Sequence, residues 1–134
     1  MASIHNEIPL QVSAAEAWDA IRDFGAVHRR VAPGFVTDCR LDGDARVVTF
    51  ANGMVARELL VDCDDNSRRL VYAIVGGRTT HYSASVQVLE DGEGASKIVW
   101  IIDLLPNEMA GPVAAMAAQG VAAMKKTLGG RGRA

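Results

Sequence analysis

The chain has 134 residues and a formal net charge of −2, with 49% hydrophobic and 22% charged residues. This length suits one domain with a sizeable core, and the near-neutral charge argues against nucleic acid as a partner. No apolar run approaches the roughly 20 residues of a membrane span, and the N-terminal stretch lacks a secretory pattern, so we expect a cytoplasmic location.

The first part of the chain predicts one strand and two short helices. Residues 3–12 alternate apolar and polar side chains, as a strand does. Ser13 then begins a capping box with Glu16, at the start of a helix that we expect to end at Gly25. A second short helix is expected at about residues 26–31.

Six further strands are predicted in the middle of the chain, joined by turns. Asn52-Gly53 is the strongest of the short hairpin signals. Hairpin connections make the predicted sheet antiparallel. The expected strands span residues 35–41, 45–51, 55–63, 68–75, 81–89 and 96–105.

A long C-terminal helix is predicted from Met109 to Leu128, where apolar residues recur at helical spacing. Gly129 is expected to end it as a left-handed cap. The apolar stripe combines small residues with flexible methionines, and Gly120 inside it costs about 1 kcal/mol relative to alanine. Either close approach of the sheet or room for a ligand explains this glycine.

The order of elements predicts an α+β fold. A seven-stranded antiparallel sheet grips the long C-terminal helix, and two short helices lie between the first and second strands. We expect residues 1–128 to form a single helix-grip domain and residues 129–134 to form a disordered tail.

The sequence of the strand at residues 55–63 does not determine which of its two faces points to the core. Two-residue periodicity places Glu58 on one face and the more apolar set on the other. Hydrophobicity alone therefore favours a solvent-facing Glu58, with a core face made by Val55, Arg57, Leu59 and Val61. Arg57 is expected to form a surface ion pair with an acidic residue on a neighbouring strand.

Residues with obvious chemistry are sparse. The three histidines are scattered, no serine lies in a G-x-S-x-G elbow, and no glycine-rich phosphate loop follows a strand. Cys39 and Cys63 stand alone without the spacing of zinc ligands, so we expect two unpaired thiols. We expect no metal site and no cofactor.

Short motifs follow one another in a specific order over nearly the whole chain. They are Ala17-Trp18-Asp19, Arg57-Glu58-Leu59, the Asp64-Asp65 turn, Val99-Trp100 and the terminal helix. In combination they resemble the START/Bet v 1-like helix-grip superfamily, and within it the bacterial polyketide cyclase/dehydrase-like branch.

The resemblance also has implications for the site. Plant abscisic acid receptors of this superfamily are similar over residues 57–77, and there the matching glutamate faces the ligand cavity. This implies that Glu58 points inward, against the local hydrophobicity pattern. It also implies that the cavity is lined by Tyr72, Tyr82, Trp100, Met116 and Gly120. Residues 49–54 and 78–80 lack the receptors' gate and latch motifs, so the hormone-receptor role is not implied.

Our leading hypothesis is the binding of a small, mostly apolar molecule, such as a lipid, a polyketide or a similar aromatic compound, between the sheet and the C-terminal helix. Glu58 would be the main polar contact, with His28 or Arg29 near the entrance. The candidate ligand-binding residues are His28, Glu58, Tyr72, Tyr82, Trp100, Val113, Met116 and Gly120.

Two alternatives stay open. The first is a cyclase/dehydratase-type enzyme in which Glu58 is the general acid/base, while the hydroxyl of Tyr72 or Tyr82 holds the developing enolate oxygen. The second is a partner-binding protein without a ligand, with Val99 and Ile101 on an outward contact surface. A homodimer is a further candidate assembly.

Overall fold

The computed structural model describes residues 2–129, and it has the predicted α+β helix-grip fold. A single antiparallel sheet contains seven strands, which are β1 (Ala2–Leu10), β2 (Val36–Asp42), β3 (Ala45–Phe50), β4 (Val55–Asp64), β5 (Arg69–Val75), β6 (His81–Glu90) and β7 (Ser96–Leu105). Of the predicted disordered tail at 129–134, residues 130–134 lie outside the described residues, whereas Gly129 is buried and hydrogen-bonded.

The order of the strands in space is β1-β7-β6-β5-β4-β3-β2, so β1 and β2 form the two edges. The chain crosses between these edges through α1 (Ala14–Ile21), a 3-10 turn (Phe24–Ala26) and one π-helical turn (Val27–Val31). A 3-10 turn (Asn107–Met109) leads into the long helix α2 (Ala110–Leu128). Helix α2 packs on the inner face of the sheet, which carries the buried side chains.

Helix α1 begins as predicted and ends earlier than predicted. The Ser13 hydroxyl accepts a hydrogen bond from the Glu16 backbone N–H at 3.1 Å, which satisfies one of the free donors of the first turn. The expected end at Gly25 is wrong because Asp23 leaves the helical region, with φ −80° and ψ 80°. The two short helices of the prediction are therefore α1 and the π-helical turn.

The hairpin between β3 and β4 sets the orientation of Glu58. Phe50 N–H donates to the Met54 carbonyl at 2.8 Å, which leaves a three-residue loop, and Gly53 closes that loop with φ +89°. This register places Arg46 opposite Glu58. A two-residue loop would shift the pairing by one position and turn Glu58 to the other face.

The hydrophobicity pattern of β4 therefore gave the wrong orientation, and the orientation implied by the resemblance is the one the structure has. Glu58 is only 5% exposed, whereas Val55 and Val61 are 62% and 61% exposed. A β-bulge between Leu60 and Asp62 interrupts the alternation beyond this point. Arg57, on the outer face, forms a surface ion pair with Asp42 at 2.6 Å. The ion pair was predicted, but its partner lies on β2 and not on a strand adjacent to β4.

The apolar stripe of α2 faces the sheet as predicted, with Ala117, Gly120, Met124 and Leu128 buried. The left-handed cap expected at Gly129 is wrong, since its φ of −83° and ψ of −13° continue the right-handed helix. Its N–H donates to the Lys125 carbonyl at 3.0 Å, and its own carbonyl accepts from Gln11 N–H at 3.1 Å. The helix end is thereby joined to the chain just after β1.

Cys39 and Cys63 are free thiols, as predicted. Within residues 2–129, no helix has both the length and the apolar character that crossing a bilayer requires.

Replacing Ser13 by alanine tests the helix start. The substitution removes the hydroxyl that caps α1, so we expect the free energy of unfolding to fall by about 1 kcal/mol. Urea denaturation followed by circular dichroism measures this change. Gln11→Ala is the matched control, because the Gln11 side chain is exposed. An equal loss in both variants would contradict a specific capping role.

Candidate ligand-binding site

A cavity of about 410 Å³ lies between the inner face of the sheet and helix α2. Its walls come from strands β3 to β7, from the α2 stripe and from the turn that precedes β2. Most of the wall is aliphatic or aromatic, and representative members are Val48, Leu70, Ile74, Val86, Trp100 and Ile102. This is the usual composition of a small-molecule site, in which a few polar groups fix the orientation of the ligand.

The two halves of α2 contribute differently to this space. Met124 and Leu128 in the C-terminal half are buried in the core. Val113 and Met116 in the N-terminal half are only partly buried, and both line the cavity. Met124 also lines the cavity, so both halves of α2 contribute to its wall.

Exposed lining residues mark the entrance. Met54 and Val55, at the β3–β4 loop, are 44% and 62% exposed, and Val75 at the end of β5 is 46% exposed. Gly76 and Gly77 follow with φ values of +78° and +79°, a conformation that favours glycine. These loops form an apolar rim around the opening, and Arg78 lies exposed beside them.

Four methionines line the cavity, which are Met54, Met109, Met116 and Met124. Methionine has a flexible, polarisable side chain that can pack against varied shapes. The wall can therefore adapt to the outline of an apolar ligand more readily than a wall of branched side chains.

A buried ion pair joins two of the lining residues, Arg46 and Glu58. The Arg46 Nε donates to Glu58 Oε1 at 2.8 Å, and both side chains are only 7% exposed. The pair bridges β3 and β4 on the inner face. A buried charge is strongly unfavourable without its partner, so each of these residues requires the other.

Aromatic rings and a carbonyl complete the surroundings of Arg46. Its Nη1 donates to the Phe24 carbonyl at 3.1 Å. Its guanidinium carbon lies 4.1 Å from the Phe24 ring centre and 5.3 Å from that of Tyr72. Such contacts between a cation and an aromatic face are favourable, above all when water is excluded.

Burial changes the acid–base properties of this region. Burial raises the pKa of the Glu58 carboxyl above its ordinary value, and Arg46 offsets only part of that rise. Burial also raises the pKa of Tyr72, with a further contribution from the nearby Glu58 charge. Burial likewise raises the pKa of Tyr82. Both phenols therefore stay neutral at ordinary pH.

The structure brings six of the predicted ligand-binding residues together in the cavity wall, which are Glu58, Tyr72, Tyr82, Trp100, Val113 and Met116. Their proximity is what the predicted binding and catalytic roles require. Whether they bind a ligand or catalyse a reaction stays a prediction.

His28 and Gly120 are not part of the cavity wall. The His28 Nδ1 is buried and has no hydrogen-bond partner among residues 2–129, while Val27 beside it does line the cavity. A Cβ atom at Gly120 would lie 3.1 Å from the Phe35 ring and 3.2 Å from the Trp100 ring. Of the two explanations for this glycine, the structure supports close approach. Arg29, the other predicted entrance residue, is exposed and also outside the wall.

Sequence reasoning missed Arg46, which is the most deeply buried basic side chain at the site. A lone arginine in an apolar strand gives no signal by itself, because most arginines are exposed. The informative signal is its position directly opposite Glu58, and that position follows only from the three-residue loop between β3 and β4.

Removing one member of the ion pair tests this arrangement. Arg46→Met leaves Glu58 buried without its partner, and we expect a loss of about 3–5 kcal/mol in the free energy of unfolding. The double variant Arg46→Met/Glu58→Met removes both charges and should recover most of that loss. Urea denaturation measures both values, and a loss below about 1 kcal/mol for Arg46→Met would contradict the account.

The loss in the free energy of unfolding of Arg46→Met should also depend on pH. Without Arg46, the pKa of folded Glu58 rises further above its unfolded value. Between those two pKa values the folded state holds more protons than the unfolded state, so stability falls as pH rises. We therefore expect Arg46→Met to be more destabilised at pH 8 than at pH 5. Arg57→Met, which breaks an exposed pair, is the control and should show little of this dependence.

Comparisons with solved structures agree with this architecture. XoxI from Bacillus cereus matches with 21% identity and a TM-score of 0.83, over 96% of this chain and 96% of that one. A START superfamily protein from Mycobacterium smegmatis matches with 12% identity and a TM-score of 0.74, over 96% and 95% of the two chains. Norcoclaurine synthase from Thalictrum flavum, solved in complex with dopamine and hydroxybenzaldehyde, matches with 20% identity and a TM-score of 0.63, over 90% and 84%.

These structural similarities establish the fold, whereas the family is established by a profile match to the sequence. A comparison with curated protein sequences gives no match. The sequence profile of the family described as "Polyketide cyclase / dehydrase and lipid transport" matches residues 1–130, which is nearly the whole chain. The chain therefore belongs to the polyketide cyclase/dehydrase and lipid transport family.

Proposed function

We propose that this protein binds a small, mostly apolar molecule, such as a lipid, a polyketide or a similar aromatic compound, in the cavity between the sheet and α2. The observation that carries the proposal is the 410 Å³ cavity with an apolar wall and one buried ion pair. The family description, which names both cyclases and lipid transport, supports a ligand of this class. A cytoplasmic location and a homodimer stay predictions.

Two features favour a binding role over an ordinary core. The methionine-rich wall can adapt to a ligand, and the apolar entrance formed by Met54, Val55 and Val75 gives an apolar molecule a path into the cavity. A purely structural core would gain stability by closing this space, because an unfilled cavity costs free energy in proportion to its volume.

Filling the cavity should abolish binding. Val113 lies on the first turns of α2 and lines the cavity, so the larger side chain of Val113→Trp would occupy the space a ligand needs. We expect at least about a tenfold loss of affinity for the neutral fluorescent probe N-phenyl-1-naphthylamine. Fluorescence titration measures the dissociation constants.

Ala115→Trp is the matched control, since Ala115 is an exposed residue of the same helix. It should bind the probe as the unchanged protein does. Equal affinity in folded Val113→Trp and Ala115→Trp, or absence of binding by the unchanged protein, would contradict the proposal. Circular dichroism establishes that each variant is folded.

The second candidate function is an enzyme of the cyclase/dehydratase type, and the buried carboxyl favours it. Burial raises the pKa of Glu58 toward the range in which a carboxyl can exchange protons at neutral pH. Glu58 would be the general acid/base in an aldol closure or a dehydration. The neutral Tyr72 hydroxyl would donate a hydrogen bond to the developing enolate oxygen.

Glu58→Gln separates catalysis from binding alone. If Glu58 transfers the proton, we expect turnover of a linear polyketone to fall by about a hundredfold or more, because general acid–base catalysis contributes effects of that order. Absorbance of the aromatic product follows the reaction. Asp42→Asn is the control, since Asp42 is an exposed carboxylate. Equal turnover by Glu58→Gln and the unchanged protein would exclude this catalytic role.

A further inference from the structure

The charged groups around the cavity lie at two depths. Arg78 is exposed beside the entrance, and Arg57 forms its ion pair with Asp42 on the surface. Deep in the cavity, the charged side chains are Arg46 and Glu58, which form a pair. The two charges cancel, so the inner end of the cavity carries no net charge.

Arg46 is held in place by groups of the protein itself. Its Nε and Nη1 already donate hydrogen bonds, and the rings of Phe24 and Tyr72 lie close to its guanidinium carbon. A ligand carboxylate that approached side-on, with one oxygen on Nε and the other on Nη2, would have to displace Glu58. The arginine therefore holds the glutamate in place, and an anion bound elsewhere on its guanidinium would leave the site with a net negative charge.

Glu58 retains a free acceptor. Its Oε1 accepts from Arg46, and no group among residues 2–129 donates to its Oε2. A carboxylate has room for about four hydrogen bonds, so the pair can still accept from a ligand O–H or N–H. The neighbouring phenol of Tyr72 stays protonated and adds a second neutral polar contact.

From this arrangement we infer that the ligand is uncharged and presents a hydroxyl or similar donor to Glu58 at the inner end of the cavity. The inference rests on the proposed binding function and narrows its ligand class. An anionic ligand would give the buried site a net charge of −1, and a cationic ligand would give it +1. Burying one uncompensated charge is strongly unfavourable, so both ions are disfavoured relative to the alcohol.

Four probes of nearly the same shape test the inference, and they differ only in the polar group. They are 2-naphthalenemethanol, 2-methylnaphthalene, 2-naphthoate and 2-naphthylmethylammonium. Isothermal titration calorimetry at pH 7 gives their dissociation constants for the unchanged protein. We expect the alcohol to bind most tightly, with an advantage of at least about tenfold over each ion. It should also bind more tightly than 2-methylnaphthalene, which lacks the donor.

Glu58→Gln gives a second test, in which the affinities for the two ions should change in opposite directions. This variant leaves Arg46 without its counter-charge, so the inner end becomes cationic. We expect 2-naphthoate to bind more tightly than it does to the unchanged protein, and 2-naphthylmethylammonium to bind less tightly. Asp42→Asn alters an exposed carboxylate and should leave the ranking of the four probes unchanged.

The outcomes separate the inference from the binding function. If any of the other three probes binds at least as tightly as the alcohol, the cavity binds small molecules but the inferred ligand class is wrong. If none of the four probes binds, the proposed function fails and the inference fails with it. The ranking in the unchanged protein decides the question even if Glu58→Gln does not fold.

Discussion

The ion pair between Arg46 and Glu58 is the interaction on which the site depends. Two opposite charges lie on the inner face of an otherwise apolar sheet, 2.8 Å apart between Nε and Oε1. Each is tolerated there because the other is present and because Phe24 and Tyr72 cover the guanidinium. The pair exists only in one register of the β3–β4 hairpin, so a loop of three residues determines the polarity of the cavity.

The long helix explains why a cavity remains beside this pair. Gly120 lets the helix approach Phe35 and Trp100 closely, and the link between Gly129 and Gln11 joins its C-terminal end to the chain after β1. Val113 and Met116 in the N-terminal half of the helix line that space. Helix α2 thus combines residues buried against the sheet with methionines that line the cavity.

Much of the fold could be predicted from the sequence, because hairpin turns and helical spacing are local signals. The orientation of Glu58 could not, since a change of one residue in the loop reverses which face it occupies. The resemblance gave the correct direction where hydrophobicity failed. Arg46 was missed because its role depends on a partner twelve residues away across a hairpin. The end of α1 and the left-handed cap at Gly129 were wrong, because the residue types at positions 23 and 129 do not determine the backbone angles found there. The end of α2 at Leu128 was predicted correctly.

The most direct test of the account is an NMR titration that follows the methionine methyl groups. Met54, Met109, Met116 and Met124 all line the cavity, from its entrance to its inner wall. With methyl-labelled protein and 2-naphthalenemethanol, the account predicts saturable shifts of all four signals with one dissociation constant. Binding that leaves these four signals unchanged would place the ligand elsewhere and contradict the cavity as the binding site.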